Sequence, residues 1–270
     1  MVQTLFERLE LKFVINAAQR RALVAVLGER LAPDPYGGAT GSYPTVDLYF
    51  DSPGFELYWE RWRGLPSRRK LRLRVYGDRA AGAEPASFLE IKHSLAGRVA
   101  KRRVRLTVAE ALALCQGADP TVALDRSASK VVAEIQTFVR SHGLVPACII
   151  RCERQAFVGH GDEADLRVTF DQNVGWRVRD LLPRPGDDDV DGQLLGTDPC
   201  VLEVKVDSAV PAWLTALVTR EQCQLRSHSK FGGAMAASGL VRPPQPATTP
   251  RLAIDRARVP HRSLETAWTP

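Results

Sequence analysis

The chain has 270 residues, with 37 Lys and Arg against 31 Asp and Glu and a formal net charge of +6. Hydrophobic residues make up 44% and charged residues 25%, which excludes a fully disordered chain, and no apolar run approaches the roughly 20 residues needed to span a bilayer. The start, MVQTLFERLELKF, lacks a basic-then-apolar leader, so a cytoplasmic, reducing setting is the expectation.

In chain order, Arg8 to Phe13 alternates charged and apolar residues and predicts a strand. Ala17 to Leu31 predicts a helix, with Leu23, Val26, Leu27 and Arg30 at helical spacing. The segment DLYFDS (47–52) is followed by YWERWRG (58–64), which reads as a helical turn or hairpin, or as a rim beside a ligand. Lys70 to Val75 and Phe88 to Lys92 alternate again, separated by a turn over Asp78 to Pro85. Helices are predicted over Thr107 to Cys115, with Thr107 as N-cap, and over Ser127 to Ser141. Leu166 to Asp171 and Leu202 to Val206 repeat the period-two pattern. Between them the Asp-rich stretch from Pro183 to Gln193 reads as a solvated loop. Pro211 to Leu225 predicts a last helix with Pro211 in its first turn. Residues 1–240 form one expected domain; 241–270, Pro-rich with five arginines against two carboxylates, read as a disordered tail.

The five cysteines, Cys115, Cys148, Cys152, Cys200 and Cys223, form no CxxC pair, and the five histidines no metal motif. Buried thiols are expected rather than a thiol or zinc centre. Trp59, Trp62 and Trp213 read as packing or rim residues. No aromatics interleave with the basic ones as a base-stacking platform, so nucleic acid is not the expected partner.

The charged side of the alternating strands is Arg and Lys interleaved with Glu. An antiparallel sheet with one wet face accounts for a single such strand. Five strands sharing the pattern point instead to a closed barrel, charged within and covered by helices outside. Confining that many cations is prohibitive unless interior glutamates and a polyanion compensate. A chain of phosphates suits Arg forks and Lys point charges. Phosphoryl transfer needs alignment and positive charge more than covalent catalysis. A divalent ion bridging phosphates would be held by carboxylates, with Glu203 first, Glu90 second and Glu10 third; for Glu90 and Glu10, pairing with neighbouring bases is an equal alternative.

RLELKF, DLYFDS, KLRLRVYG, FLEIKHSLAGRVAKRR, CERQAF, LRVTFD, CVLEVKV and SHSKF, in that order, are similar to the VTC domain, the polyphosphate polymerase domain of the triphosphate tunnel metalloenzyme (CYTH-like) superfamily. The resemblance implies an α+β fold: a closed eight-stranded antiparallel β-barrel covered by helices. It implies Mn2+ or Mg2+ as cofactor, ATP and inorganic polyphosphate as partners, and transfer of the γ-phosphate to the growing chain. The alternatives are a metal-dependent tripolyphosphatase or nucleoside triphosphatase, and a non-enzymatic polyphosphate binder. The tunnel bases carried over are Lys12, Arg72, Arg74, Lys92, Arg154, Arg167, Lys205 and Lys230. Arg98 and Lys101 join them on a looser match, while Arg102 and Arg103 stay open, because parity permits either face. Arg8 also enters as a substrate-binding residue. It stands where hydrolytic relatives typically carry the first acid of an ExExK strand, which favours transfer over hydrolysis. Glu203 is the implied metal carboxylate.

Overall fold

A computed structural model describes residues 9–77, 86–95, 98–196, 198–207, 209–226 and 228–242. Residues 243–270 of the tail and the turn over Asp78 to Pro85 therefore lie outside the described residues. One ten-stranded antiparallel sheet organises the rest. Its main path runs β1 (Leu9–Ile15), β10 (Cys200–Val206), β8 (Arg167–Arg177), β7 (Val145–Val158), β3 (Ser42–Asp51), β4 (Ser67–Tyr76), β5 (Ser87–Leu95) and β6 (Arg98–Arg105). Two short strands are added, β2 (Ala32–Pro33) on β7 and β9 (Gly192–Gln193) on β8.

Period two sorts each strand. Val46, Leu48, Phe50, Leu71, Leu73, Val75, Leu89, Ile91 and Val104 face outward into a core shared with α3 (Val108–Cys115) and α4 (Arg126–His142). On the other half of the sheet Phe13, Ile15, Val168, Phe170, Leu202 and Val204 pack under α1 (Ala17–Arg30) and α5 (Ala212–Arg220). The convex face is thus largely apolar and helix-covered, and most of the alternating charges turn to the concave side.

The helix starts follow local chemistry. Asn16 and Gln19 form a reciprocal capping box on α1, and Thr107 and Glu110 do the same on α3. Asp125 caps α4, and Gly143, with φ 58°, ends it in a left-handed turn. The predicted segments over α1, α3 and α4 differ from those observed by at most one residue at each end. The last one is shorter: α5 stops at Arg220. Gln222 takes φ 52°, and the chain then lies along β1, with Leu225 bridging Phe13 and the Arg226 N–H donating to the Lys12 carbonyl at 2.9 Å.

That excursion bears on the largest departure from expectation. The sheet is an open half-barrel, not a closed barrel: among the described residues no ladder joins β6 to β1. The free edge of β1 is already engaged by Leu225 and Arg226. The opposite edge strand, β6, carries Lys101, Arg102, Arg103 and Arg105, and charged edges resist further pairing. Across the gap the bridge is a side-chain one, Lys92 Nζ to Glu10 at 2.9 Å.

Two further helices form, the first read from sequence only as a helical turn or hairpin and the second not foreseen. YWERWRG folds into α2 (Glu56–Trp62), whose first turn is held by Asp51: its carboxylate accepts from the Leu57 and Tyr58 N–H groups at 2.9 and 3.0 Å. The SHSKF segment opens α6 (Lys230–Ala237) with Ser229 as N-cap. Phe231, Ala234 and Met235 pack on Tyr49, Cys148, Ile150 and Cys152, so α6 plugs one end of the concave face. The Asp-rich stretch is no free loop. Asp187 is buried against the fully buried Arg177 at 2.9 Å, and Arg179 grips Asp189 and Asp191 at 2.6 Å. All five cysteines are free thiols; Cys148, Cys152 and Cys200 are buried.

Phe138, 1% exposed at the centre of the α4 interface, tests this packing. Phe138→Ala is expected to cost about 3–5 kcal/mol, read as a lowered urea midpoint at unchanged m-value.

Candidate functional site

The registers place the interior residues directly. Lys12 lies opposite Glu203 and Glu10 opposite Lys205. Glu203 lies opposite Thr169 and Lys205 opposite Arg167. Arg154 pairs with Asp171 and Tyr43, Asp47 with Arg74, Arg72 with Glu90, Lys92 with Lys101, and Glu90 with Arg103. Directly opposed residues share a face, so strands far apart in sequence deliver their charges to one concavity.

Carboxylates hold the cations in place. Asp47 takes Arg74 in a two-pronged bond, both contacts 2.6 Å, and also meets Arg72 at 3.3 Å. Asp171 holds Arg154 in the same way, at 2.7 and 2.8 Å, and bonds Lys230. Glu90 gathers Arg72 at 2.6 Å, Lys101 at 3.3 Å and Arg103 at 3.9 Å. Glu203 bonds Lys12 at 2.9 Å and Lys205 at 2.7 Å, with Lys230 at 3.8 Å. Arg167 bonds Asp34 and donates to the Tyr43 hydroxyl at 2.9 Å.

These contacts set the protonation states. Burial alone would push the Asp47, Glu90, Asp171 and Glu203 carboxyls up. The surrounding Arg and Lys groups outweigh it and hold all four below the ordinary carboxylate range. Glu10, facing Lys92, Lys205 and Lys12, is brought to about 2 against the same opposing burial. Lys205 is lowered to about 8 by burial despite Glu203. Lys230 is raised, because Asp171 and Glu203 overcome its burial.

Of the sequence-predicted residues, Lys12, Arg72, Arg74, Lys92, Lys101, Arg154, Arg167, Lys205, Lys230, Glu203, Glu90 and Glu10 all take part in this one set of contacts. Arg8 lies outside the described residues, as does the side chain of Arg98. The pair left open separates: Arg102 turns outward to Glu134 on α4, with Nε at 2.6 Å, while Arg103 turns inward, 4.4 Å from the Phe88 ring centroid.

Sequence reasoning missed Asp47, Asp34, Tyr43 and Lys70 and made no use of Asp171 beyond its face. Asp47 and Lys70 were legible, since each continues the parity of its strand. Asp34 was not, because it lies beyond β2 and reaches Arg167 only through the fold.

A curled antiparallel sheet whose concave face pools cations on buried carboxylates is a polyanion-binding architecture. The VTC domain family profile matches residues 7–238, and the chain belongs to that family. A comparison with curated proteins found no match. Among solved structures, a candidate adenylate cyclase from Bacillus halodurans is similar at 12% identity and TM-score 0.49, covering 83% of this chain and 95% of that one. A Hippeastrum protein described as a candidate adenylyl cyclase with a dominant triphosphatase activity is similar at 16% identity and TM-score 0.49, covering 89% and 98%. No described helix is long and apolar enough to cross a membrane.

Asp171→Asn strips the charge partner from buried Arg154 and Lys230 and is expected to cost about 3–5 kcal/mol, measured by chemical denaturation. Because the folded carboxyls lie below their unfolded values of 3.8 and 4.5, the stability they confer is complete above those values. It drains as pH falls through the folded ones. Wild-type stability should therefore decline steadily below about pH 4.5, and less steeply in Asp171→Asn.

Proposed function

We propose that this chain is a polyphosphate polymerase that transfers the γ-phosphate of ATP to the end of a growing inorganic polyphosphate. The observation that carries the reading is the state of the concave-face carboxylates. Glu10, Asp47, Glu90, Asp171 and Glu203 are each ion-paired and held ionised well below neutrality. Such groups are poor general bases at neutral pH. Water as nucleophile requires proton removal, whereas a terminal phosphate oxygen is already anionic. The site therefore suits a phosphate acceptor better than water, in keeping with Arg8 standing where hydrolytic relatives carry an acid.

In the reaction, an oxygen of the polymer's terminal phosphate bonds to the γ-phosphorus as the bond to the β,γ-bridging oxygen breaks. ADP leaves and the polymer gains one unit. Arg72, Arg74, Arg154 and Arg167 present fixed guanidiniums to the triphosphate. Lys12, Lys92, Lys101, Lys205 and Lys230 supply ammonium groups around the transferring phosphoryl, stabilising charge as it redistributes. Glu203 and Glu10 are diagonal neighbours across β1 and β10 and offer the hard oxygen donors that Mn2+ or Mg2+ takes. Among the described residues no three metal-ligating side chains gather, so Glu203 and Glu10 are the residues that would hold such an ion. Glu90, ringed by Arg72, Lys101 and Arg103, serves as scaffold. Bound there, the ion would offset phosphate charge.

Incubation with ATP and Mn2+ followed by phosphorus NMR should show internal-chain phosphate resonances growing as ADP appears. Glu203→Gln should lower the rate by about 100-fold or more. Orthophosphate rising in step with ATP loss, with no chain resonance, would establish the triphosphatase instead; tight polyphosphate binding without ATP consumption would establish the binder.

A further inference from the structure

Lys70 is the interior cation that the carboxylate scaffold leaves out. Lys12, Lys92, Lys101, Lys205 and Lys230 each touch a carboxylate. Lys70 has none among the described residues: its Nζ donates to Ser229 Oγ at 3.0 Å and lies 5.6 Å from the centroid of the Phe231 ring. The charges that act on it most strongly, Arg61, Lys92, Lys12 and Arg72, are all positive. A half-buried ammonium among like charges costs free energy unless an anion joins it. Burial first, then those four cations, hold its pKa well below the ordinary lysine value.

Ser229 extends the pattern. Its oxygen accepts from Lys70 and from the Gly232 N–H at 3.1 Å. With both lone pairs engaged, its O–H remains a donor, and no described residue accepts from it. Beside it, His228 has a buried Nε2 without a hydrogen-bond partner. His228 and Ser229 line a cavity of about 550 Å³, together with Arg61, Arg68, Trp62 and Gly232. Its wall is furnished by α2 and the start of α6, outside the row of ion pairs on the concave face. Donors converge here, and no acidic residue lines the cavity.

We propose that this cavity is a second phosphate subsite, which holds a unit of the polyphosphate chain beyond those on the concave face. Ser229 lines it with Lys70 3.0 Å behind its hydroxyl, and Arg68 and His228 line it too. The phosphate supplies the charge Lys70 lacks and the acceptors that Ser229 and His228 lack. A chain long enough to reach from the concave face to the cavity gains this contact, and a short one does not. The inference rests on the reading of the protein as one that binds phosphate chains.

The test is calorimetric titration of the whole chain with tripolyphosphate and, separately, with a long-chain polyphosphate. Lys70→Met should weaken long-chain binding about tenfold or more, since it removes a charge-assisted bond, while tripolyphosphate affinity moves by less than about twofold. Arg68→Ala, at an exposed position, should give a smaller loss in the same direction. Should Lys70→Met fail to fold, Arg68→Ala and the imidazole resonances of His228 decide: those resonances should shift with the long chain and stay put with tripolyphosphate. Equal weakening of both ligands, or unchanged long-chain affinity in a folded Lys70→Met, overturns the subsite. If tripolyphosphate binds and the long chain gains nothing, the subsite alone fails. If wild-type protein binds neither, the polyphosphate reading fails with it.

Discussion

The constraint on which the structure depends is the burial of cations that must stay charged. Arg74 and Arg154 are nearly inaccessible, and both are held well above the ordinary guanidine value, Asp47 and Asp171 having overcome the effect of burial. Two-pronged arginine–carboxylate bonds of this kind fix the plane of the guanidinium as well as its charge. Asp47, Glu90, Asp171 and Glu203 each serve more than one cation, so the face keeps a surplus of positive charge while its buried cations stay partnered. A face assembled from isolated bases could not be desolvated, and one with matched charges would not attract a polyanion. The sharing of carboxylates satisfies both demands.

This face dictates the rest of the architecture. Because period two commits one side of most strands to charge, the largely apolar other side must be covered by helices, and two separate helix layers do so. The seam between β1 and β6 stays open for related reasons: backbone donors and acceptors at the β1 edge are used by Leu225 and Arg226, and the facing strands present lysines. What spans it is a charged pair, Lys92 and Glu10, partly accessible to solvent, which can part without breaking a ladder.

The alternation along KLRLRVY and CVLEVKV was enough to place Arg72, Arg74, Glu203 and Lys205 on the concave side, because strand parity is local. Closure was not legible, since it depends on whether two edges meet, and the Leu225 excursion that engages one of them comes from a helix ending early at Arg220. Lys230 was singled out by resemblance, but its position depends on α6, a short helix rich in Gly and Ala with no period strong enough to read. The DDDVD stretch misled for a different reason: its partners Arg177 and Arg179 lie at the end of β8, and composition alone cannot distinguish a solvated acid from a paired one. The Arg102 and Arg103 ambiguity resolves only through register, with Glu90 opposite Arg103 and Ile91 opposite Arg102.

The cations also differ in how firmly they are held, and that difference has a chemical use. Arg74 and Arg154, with side-chain exposures of 5% and 7%, are locked by both prongs and form a field that need not reorganise when a phosphate arrives. Lys12, Lys92 and Lys101, at 28%, 37% and 38%, each hold a carboxylate through a single contact. An ammonium on a flexible stem can exchange a carboxylate oxygen for a phosphate oxygen at small cost. The guanidiniums thus define where phosphates sit, and the lysines can follow charge as it moves from one phosphate to the next. A polymer that must advance by one unit after every transfer needs both: a register that does not drift, and contacts that release.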